Sequence, residues 1–146
     1  MSTEPGNIFE RRFHNRFEDL SRVTEAAVRF IEERGVGDQA AYTANLAIEE
    51  MTTNILKYGY DDTAVHEILL RLEILPGALQ LVLEDDGHEF NPLQAPEPDL
   101  DIPTEQRIPG GLGIHLIRKM AEQMNYERCD GRNRLTVRIS SPKPDS

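Results

Sequence analysis

A glycine-rich run gives the strongest constraint on how this chain can fold. The segment Arg107-Ile108-Pro109-Gly110-Gly111-Leu112-Gly113-Ile114 lies where an acidic, proline-rich stretch becomes an amphipathic helix. Glycine allows a positive φ and a close approach of the backbone to a ligand, and the first turn of a helix offers unpaired N–H groups and the positive end of the helix dipole. The run therefore suits a phosphate group, although on its own a loop-to-helix junction with glycines for packing explains it equally well.

Two common phosphate-binding motifs do not fit this run. A P-loop requires Lys followed by Ser or Thr directly after the last glycine, and Ile114 stands there instead. A dinucleotide-binding loop follows directly on a strand, whereas the segment from Asn91 to Pro109 contains five prolines and reads as an irregular flap. Because the flap has few apolar side chains to anchor it, we expect it to be mobile without a ligand.

Composition narrows the class of protein. The 146 residues, of which 38% are hydrophobic, predict a single domain over residues 1–146 with a core from about 8 to 140. The net charge of -10 argues against a nucleic-acid surface, which requires clustered Lys and Arg. Cys129 is the only cysteine, so we expect a reducing compartment. No apolar stretch approaches the roughly 18 residues of a membrane span, and the sequence predicts a cytoplasmic protein without a membrane partner.

The hydrophobic periodicity predicts an α/β two-layer sandwich. The expected order is a strand, two helices, two strands, the flap, a helix and two strands. We assign the strands to 8–14, 65–75, 78–84, 126–130 and 134–140 and the helices to about 15–34, 38–58 and 112–124. Leu112, Leu116, Ile117, Met120 and Met124 form the apolar face of the third helix, and Gly131-Arg132-Asn133 forms the last turn.

Two further polar groups stand at the ends of these elements. Glu50 and Asn54 lie one turn apart on one face of the second helix, beside Glu49. The sequence Asp85-Asp86-Gly87 closes a strand. Taken singly, the two helix residues are typical of a solvated surface pair. The strand end is typical of a turn. Together with the glycine-rich helix entry they indicate one site.

These residues resemble the motifs of a known superfamily. The segment 46–54 is similar to the N box, the segment 84–92 to the G1 box, and Gly110-Gly111-Leu112-Gly113-Ile114 to the G2 box of the GHKL, or Bergerat, ATP-binding fold. The single small domain and the short flap resemble most closely the RsbW and SpoIIAB type of anti-sigma factor serine kinases. The resemblance implies a mixed, mostly antiparallel sheet covered on one face by three helices.

The resemblance also implies roles for individual residues. It implies that ATP and Mg²⁺ are the cofactors and that Asn54 ligates the metal. Asp85 is expected to accept a hydrogen bond from the adenine amino group, with Thr136 beside it, and Gly87 to let the backbone pass close to the base. The backbone of Gly110, Gly111, Leu112 and Gly113 is expected to bind the phosphates.

The catalytic residues follow from the same resemblance. Glu50 corresponds to the glutamate that orients or deprotonates the attacking hydroxyl, and Arg107 is expected to reach the γ-phosphate and to order the flap when ATP binds. A base, a metal and an arginine are sufficient for phosphoryl transfer. Three positions depart from the family pattern: Tyr58 replaces the usual histidine of the N box, Glu89 replaces the second glycine of the G1 box, and His88 lies between Gly87 and Glu89.

The function implied is an ATP-dependent serine/threonine kinase of a bacterial partner-switching system. Its expected partners are a STAS-type anti-anti-sigma protein as substrate, a sigma factor or an equivalent client, and a second copy of the chain. A different class of function stays open, namely a non-catalytic module in which ATP selects a protein-binding conformation. The four histidines show no spacing typical of metal ligands, so we expect no zinc.

Overall fold

A computed structural model describes residues 5–94 and 111–141 of the chain. The described strands are β1 (Ile8–His14), β2 (Glu67–Leu75), β3 (Ala78–Asp85), β4 (Gln123–Cys129) and β5 (Arg132–Ser140), and the helices are α1 (Phe17–Glu33), α2 (Asp38–Tyr58) and α3 (Gly111–Met120). Short 3-10 turns cover Pro5–Asn7 and Pro92–Gln94. The expected order of elements is confirmed, and of the flap expected from Asn91 to Pro109 the part from 95 onward lies outside the described residues.

The strands form one sheet of five strands in the order β1-β2-β3-β5-β4. Each of the four pairings between the described strands is antiparallel. The apolar side chains of one sheet face join those of the helices in a single core. This arrangement confirms the two-layer sandwich, and the parallel component of the expected mixed sheet is absent from the described strands.

Alternation along the central strands decides which side chains enter this core. On β3, Leu79, Leu81 and Leu83 point toward the helices and are each at most 2% exposed. Burying one such leucine stabilises the fold by roughly 1.5–3 kcal/mol. Helix α2 turns Ala44 and Ala47, which are fully buried, toward the core, and these small side chains let the helix approach closely. Among the described residues, none of the helices has the length and apolar character of a membrane span.

The hairpin between β4 and β5 differs from the expected turn at Gly131-Arg132-Asn133. The turn is formed by Asp130 and Gly131, with φ values of 53° and 75°. Positive φ at both central residues is the geometry of a two-residue turn whose twist matches that of the flanking strands, and Asp-Gly is a preferred sequence for it. Arg132 and Asn133 therefore belong to β5, where Asn133 lies opposite Asp85 of β3.

Helix α3 is shorter than expected. It ends at Met120, and Met124 lies in β4 opposite Val137 instead of extending the apolar face of the helix. The chain leaves the helix because Glu122 N donates to the carbonyl of Arg138 at 2.8 Å, which starts the sheet pairing. Leu116, expected on the same apolar face, is 39% exposed.

Candidate functional site

The end of β3 lies directly against the end of α2. His88 N donates a hydrogen bond to the carbonyl oxygen of Gly59 at 2.8 Å. A Cβ atom placed on Gly87 would lie 2.6 Å from the same oxygen, so a larger residue at this position would force the two segments apart. Glycine at position 87 is therefore required for the close approach that brings the strand end Asp85-Asp86-Gly87 beside the helix that carries Glu50 and Asn54.

A cavity of about 330 Å³ opens where these two elements meet. It is lined by Asn54, Ile55, Tyr58, Gly59, Asp85, His88, Glu89, Phe90 and Asn133. Its volume is at the lower end of the range found for small-ligand sites in proteins. All three departures from the family pattern, Tyr58, His88 and Glu89, belong to this lining.

Asp85 is the most deeply buried charged side chain of the cavity. It is 5% exposed, and its Oδ1 atom accepts hydrogen bonds from Gly87 N at 2.8 Å and from Asn133 Nδ2 at 2.9 Å. Burial raises the pKa of the Asp85 carboxyl above its usual range, and the two hydrogen bonds oppose that rise. A buried carboxylate with one oxygen already occupied is suited to a single directed hydrogen bond with a ligand.

Asn133 is the residue of this site that the sequence did not reveal. The sequence places it in a run of typical turn residues, but the structure places it in β5, 6% exposed, with its amide against Asp85. The only signal that could have identified it is the Asp130-Gly131 pair, because a two-residue turn there fixes the register of β5.

Thr136 does not lie beside Asp85 as expected. The pairing of β3 with β5 places Thr136 opposite Val82 and Asn133 opposite Asp85. Because side chains alternate along a strand, Thr136 is on the sheet face away from the helices, whereas Asn133 and Asp85 are on the covered face. The expected position of Thr136 is therefore wrong, and Asn133 occupies the place next to the carboxylate.

Glu50 lies at the junction of α2 and α3. A Cβ atom placed on Gly113 would overlap the carboxyl group of Glu50, so this side chain rests on the first turn of α3. Glu50 also lines an open groove of about 760 Å³ between α1 and α2, which includes Glu49 and Lys57. The Glu50 carboxylate thus has the glycine-rich helix entry on one side and a solvent-accessible groove on the other.

Asn54 lies one turn after Glu50 and faces the cavity. Its Nδ2 atom is buried without a hydrogen-bond partner among the described residues. A buried amide atom without a partner is costly, so this side chain is prepared for a ligand. The amide can offer its oxygen to a cation or its nitrogen to a phosphate, and in the described part of the chain no group of three or more His, Cys, Asp or Glu side chains is placed to hold a metal. The unpartnered nitrogen suits a phosphate oxygen, and an amide oxygen is a ligand type that an Mg²⁺ ion held mainly by phosphates and water accepts, so the chemistry of Asn54 fits a metal-bound nucleotide.

The remaining expected site residues are only partly described. Gly111 begins α3, Leu112 follows in the same helix, and Gly113 is buried against Glu50. Arg107 and Gly110 lie outside the described residues. The structure therefore brings the helix residues, the strand end and the first turn of α3 together.

A second polar cluster adjoins the strand end. Asp86 accepts a hydrogen bond from the Tyr60 hydroxyl at 3.1 Å and lies 3.3 Å from Nδ1 of His66. The other ring nitrogen of His66 lies 2.8 Å from Asp62, and the Tyr60 and His66 rings stack at 3.9 Å. The hydrogen bond with Asp62 raises the pKa of His66, although partial burial opposes that rise. This cluster fixes the segment between α2 and β2 against the end of β3.

Known proteins match both the sequence and the architecture. Residues 13–139 match the family of histidine kinase-like ATPase domains. The serine/threonine-protein kinase BtrW of Bordetella bronchiseptica is 30% identical over 105 residues, which cover 72% of this chain and 73% of that protein. The serine-protein kinase RsbW of Bacillus velezensis is 24% identical over 108 residues, which cover 66% of this chain and 67% of that protein.

A solved structure shares the fold. The blue-light activated histidine kinase of Erythrobacter litoralis EL346 matches with a TM-score of 0.50 and 19% identity, over 85% of this chain. This chain spans 41% of the length of that structure. The cavity at the end of β3, the glycine-rich start of α3 and these matches agree with one another. The chain belongs to the histidine kinase-like ATPase family and is a protein kinase of the RsbW type.

Proposed function

We propose that this chain transfers the γ-phosphate of ATP to a serine or threonine of a STAS-type antagonist protein and also holds a sigma factor or an equivalent client. Phosphorylation of the antagonist then frees the kinase to hold its client. The names of the two related kinases support protein phosphorylation by this fold. A pair of kinase chains is the expected assembly.

The position of Glu50 carries this proposal. Its carboxylate rests on Gly113 at the start of α3, where phosphates bind to the helix N-terminus, and it also faces the groove between α1 and α2. A hydroxyl group that enters from the groove meets the carboxylate before it meets the phosphate. Such a placement suits a base that orients or deprotonates a protein hydroxyl, and a module that only binds nucleotide has no need of it.

The proposed nucleotide-binding roles come from the family resemblance, and the position of Asp85 and Asn54 in the cavity lining supports them. Asp85 accepts a hydrogen bond from the adenine amino group, Gly87 keeps the strand end close to the base, and the backbone N–H groups of 110–113 bind the phosphates. Asn54 ligates Mg²⁺, which neutralises charge on the β- and γ-phosphates when it is bound. Arg107 contacts the γ-phosphate and, through it, holds the flap. These roles are part of the proposal.

A comparison of two neighbouring glutamates tests the function. The chain and its Glu50→Gln and Glu49→Gln variants are incubated with γ-labelled ATP and candidate STAS proteins, and ADP affinity is measured separately. Removal of a general base lowers transfer by about 100-fold or more, so Glu50→Gln should lose transfer and retain ADP binding. Glu49→Gln is the matched control because Glu49 is exposed on the same helix turn. Wild-type protein that binds ADP but transfers no phosphate to any of these proteins would indicate the non-catalytic module.

A further inference from the structure

Asn133 has an unusually complete set of hydrogen bonds for a single side chain. Its Oδ1 atom accepts from the Tyr126 hydroxyl at 2.5 Å, from Arg128 Nη1 at 3.0 Å and from the backbone N–H of Phe90 at 3.4 Å. Each of these groups is a donor, so the oxygen of the amide must face them. The orientation of the Asn133 amide is therefore fixed by its surroundings.

The fixed orientation directs the amide nitrogen toward Asp85. Nδ2 of Asn133 donates to Asp85 Oδ1 at 2.9 Å and to the carbonyl of His88 at 2.8 Å. Oδ1 of Asp85 also accepts from Gly87 N, which leaves Oδ2 without a hydrogen bond from the described residues. Because Asp85 lines the cavity, Oδ2 is the carboxylate atom that is available to a ligand.

We propose that Asn133, held by Tyr126 and Arg128, is a positioning residue that turns the Asp85 carboxylate so that Oδ2 selects adenine over guanine. Adenine carries an amino group where guanine carries a carbonyl oxygen, and an ionised carboxylate accepts a hydrogen bond from the first and repels the second. The inference depends on the proposed binding of adenine nucleotides at this cavity. It differs from the family expectation, which assigned the place beside Asp85 to Thr136.

Arg128 strengthens the arrangement from the neighbouring strand. Its Nη1 atom donates to the carbonyl of Gly87 at 2.8 Å as well as to Asn133. The Arg128 guanidinium thus hydrogen-bonds both to Gly87, just after Asp85, and to the Asn133 amide. Such a shared donor holds the carboxylate and its partner in one geometry, which selectivity requires.

The pH dependence of nucleotide binding separates a positioning role from a merely structural one. The Asn133 hydrogen bond opposes the rise in the pKa of Asp85 that burial causes, so its loss should raise that pKa further. Nucleotide binding requires ionised Asp85. As the pH falls, a variant without the Asn133 hydrogen bond should therefore lose binding at a higher pH than wild type does. The other titratable groups around Asp85 are Tyr60, Asp86, His88, Glu89 and Arg128. All of them are present in wild type and in every variant of Asn133, so the comparison reports the difference that the substitution makes.

The experiment measures ADP and GDP affinity by calorimetry over a series of pH values that descends from neutral to the most acidic pH at which each protein stays folded. Asn133→Ala should bind ADP about 10-fold more weakly, lose part of its preference over GDP and lose binding at a higher pH than wild type. Asn133→Thr, which restores a donor, should recover part of the preference for ADP. Tyr126→Phe should change the preference and the acid limit of binding in the same direction as Asn133→Ala, but by a smaller amount. Thr136→Val is the comparison variant on the opposite sheet face and should bind like wild type.

The outcomes distinguish a failure of the role given to Asn133 from a failure of the proposed function. An unchanged ADP-to-GDP ratio and an unchanged acid limit in folded Asn133→Ala would overturn the inference, and so would a loss of selectivity in Thr136→Val. Absence of ADP binding in wild-type protein would instead overturn the proposed function. Far-ultraviolet circular dichroism establishes that each variant is folded, and the Asn133→Thr protein provides a second test if Asn133→Ala does not fold.

Discussion

The carboxyl group of Glu50 rests against the backbone of Gly113 so closely that no side chain at position 113 could be accommodated without moving it. This contact joins the middle of α2 to the first turn of α3, two elements between which β2 and β3 lie in the sequence. The candidate base and the candidate phosphate-binding turn are therefore positioned by each other. A change at position 113 should therefore act on catalysis through the position of the Glu50 carboxylate.

We expect Gly113→Ala to displace the Glu50 carboxylate and to lower phosphoryl transfer at least about 10-fold, because the new Cβ atom takes the space of that carboxyl group. The displaced atoms are the far end of a flexible side chain and alanine favours the helix, so the free energy of unfolding should fall by less than about 1 kcal/mol. Transfer from labelled ATP measures the first effect, and chemical denaturation measures the second. The double variant Gly113→Ala/Glu50→Ala should be as inactive as Glu50→Ala alone. Wild-type transfer by Gly113→Ala would show that this contact does not position the Glu50 carboxylate.

Asp85→Asn should weaken ATP and ADP binding together by about 1–2 kcal/mol, because both nucleotides carry the same base and lose the same charge-assisted hydrogen bond. Isothermal calorimetry with each nucleotide measures the effect. Asp86→Asn is a suitable control, since Asp86 turns toward Tyr60 and His66. The assignment of Asp85 fails if ADP affinity is unchanged.

Asn54→Ala should remove the Mg²⁺-dependent part of ATP affinity and leave the metal-independent part of ADP binding close to wild type. Affinity is measured with Mg²⁺ and with excess chelator, so that the difference isolates the contribution of the metal. Thr53→Ala is the matched control, because the neighbouring side chain lines the groove between α1 and α2 instead of the nucleotide cavity. Equal Mg²⁺ dependence in the Asn54→Ala and wild-type proteins would exclude Asn54 as the metal ligand.

The stability of the loop after α2 should depend on pH through His66. The pKa of His66 is raised in the folded state by its hydrogen bond with Asp62, so protonated His66 favours folding. That contribution is complete below the unfolded pKa and is lost as the pH rises through the folded pKa. The Tm difference between wild type and His66→Gln should therefore be larger at about pH 5.5 than at about pH 9.

Asp62→Asn provides the control for this pH effect. It removes the carboxylate that raises the pKa of His66, so it should reduce the same pH dependence without changing the imidazole. Adding His66→Gln to Asp62→Asn should then have little further effect at acidic pH. A Tm difference that does not change with pH would mean that the contact between His66 and Asp62 has no linked protonation.

Most of the fold could be predicted because the elements follow plain periodicities. The alternation of Leu79, Leu81 and Leu83 indicates β3 directly, and the sheet and its helical layer follow from such patterns. The assignment of Met124 to the third helix is wrong. An apolar residue four positions after Met120 continues the face of a helix equally well as it begins an alternating strand. Only the pairing of Glu122 with Arg138, a contact between distant parts of the sequence, decides between the two.

The site was predictable where a motif stands at the end of an element. Asp85 and Gly87 end a strand, and Glu50 and Asn54 share a helix face, so their proximity follows from local geometry and the resemblance. Asn133 could not be found in this way, since its role depends on the register between two strands. The residue chosen in its place, Thr136, lies in the correct strand but on the opposite face.

The short turn at Asp130 and Gly131 has a consequence for how this chain can change. A strand that slips by a single position turns every one of its side chains to the other face of the sheet. A change of one residue at the turn that shifts β5 would therefore bring a neighbouring arginine, Arg132 or Arg134 according to the direction of the shift, toward Asp85 and carry the amide of Asn133 to the other face. A change of two residues would keep the same side chains on the same face. The length of this hairpin thus governs which chemical group meets the carboxylate, so insertions and deletions are restricted at a turn that does not itself line the cavity.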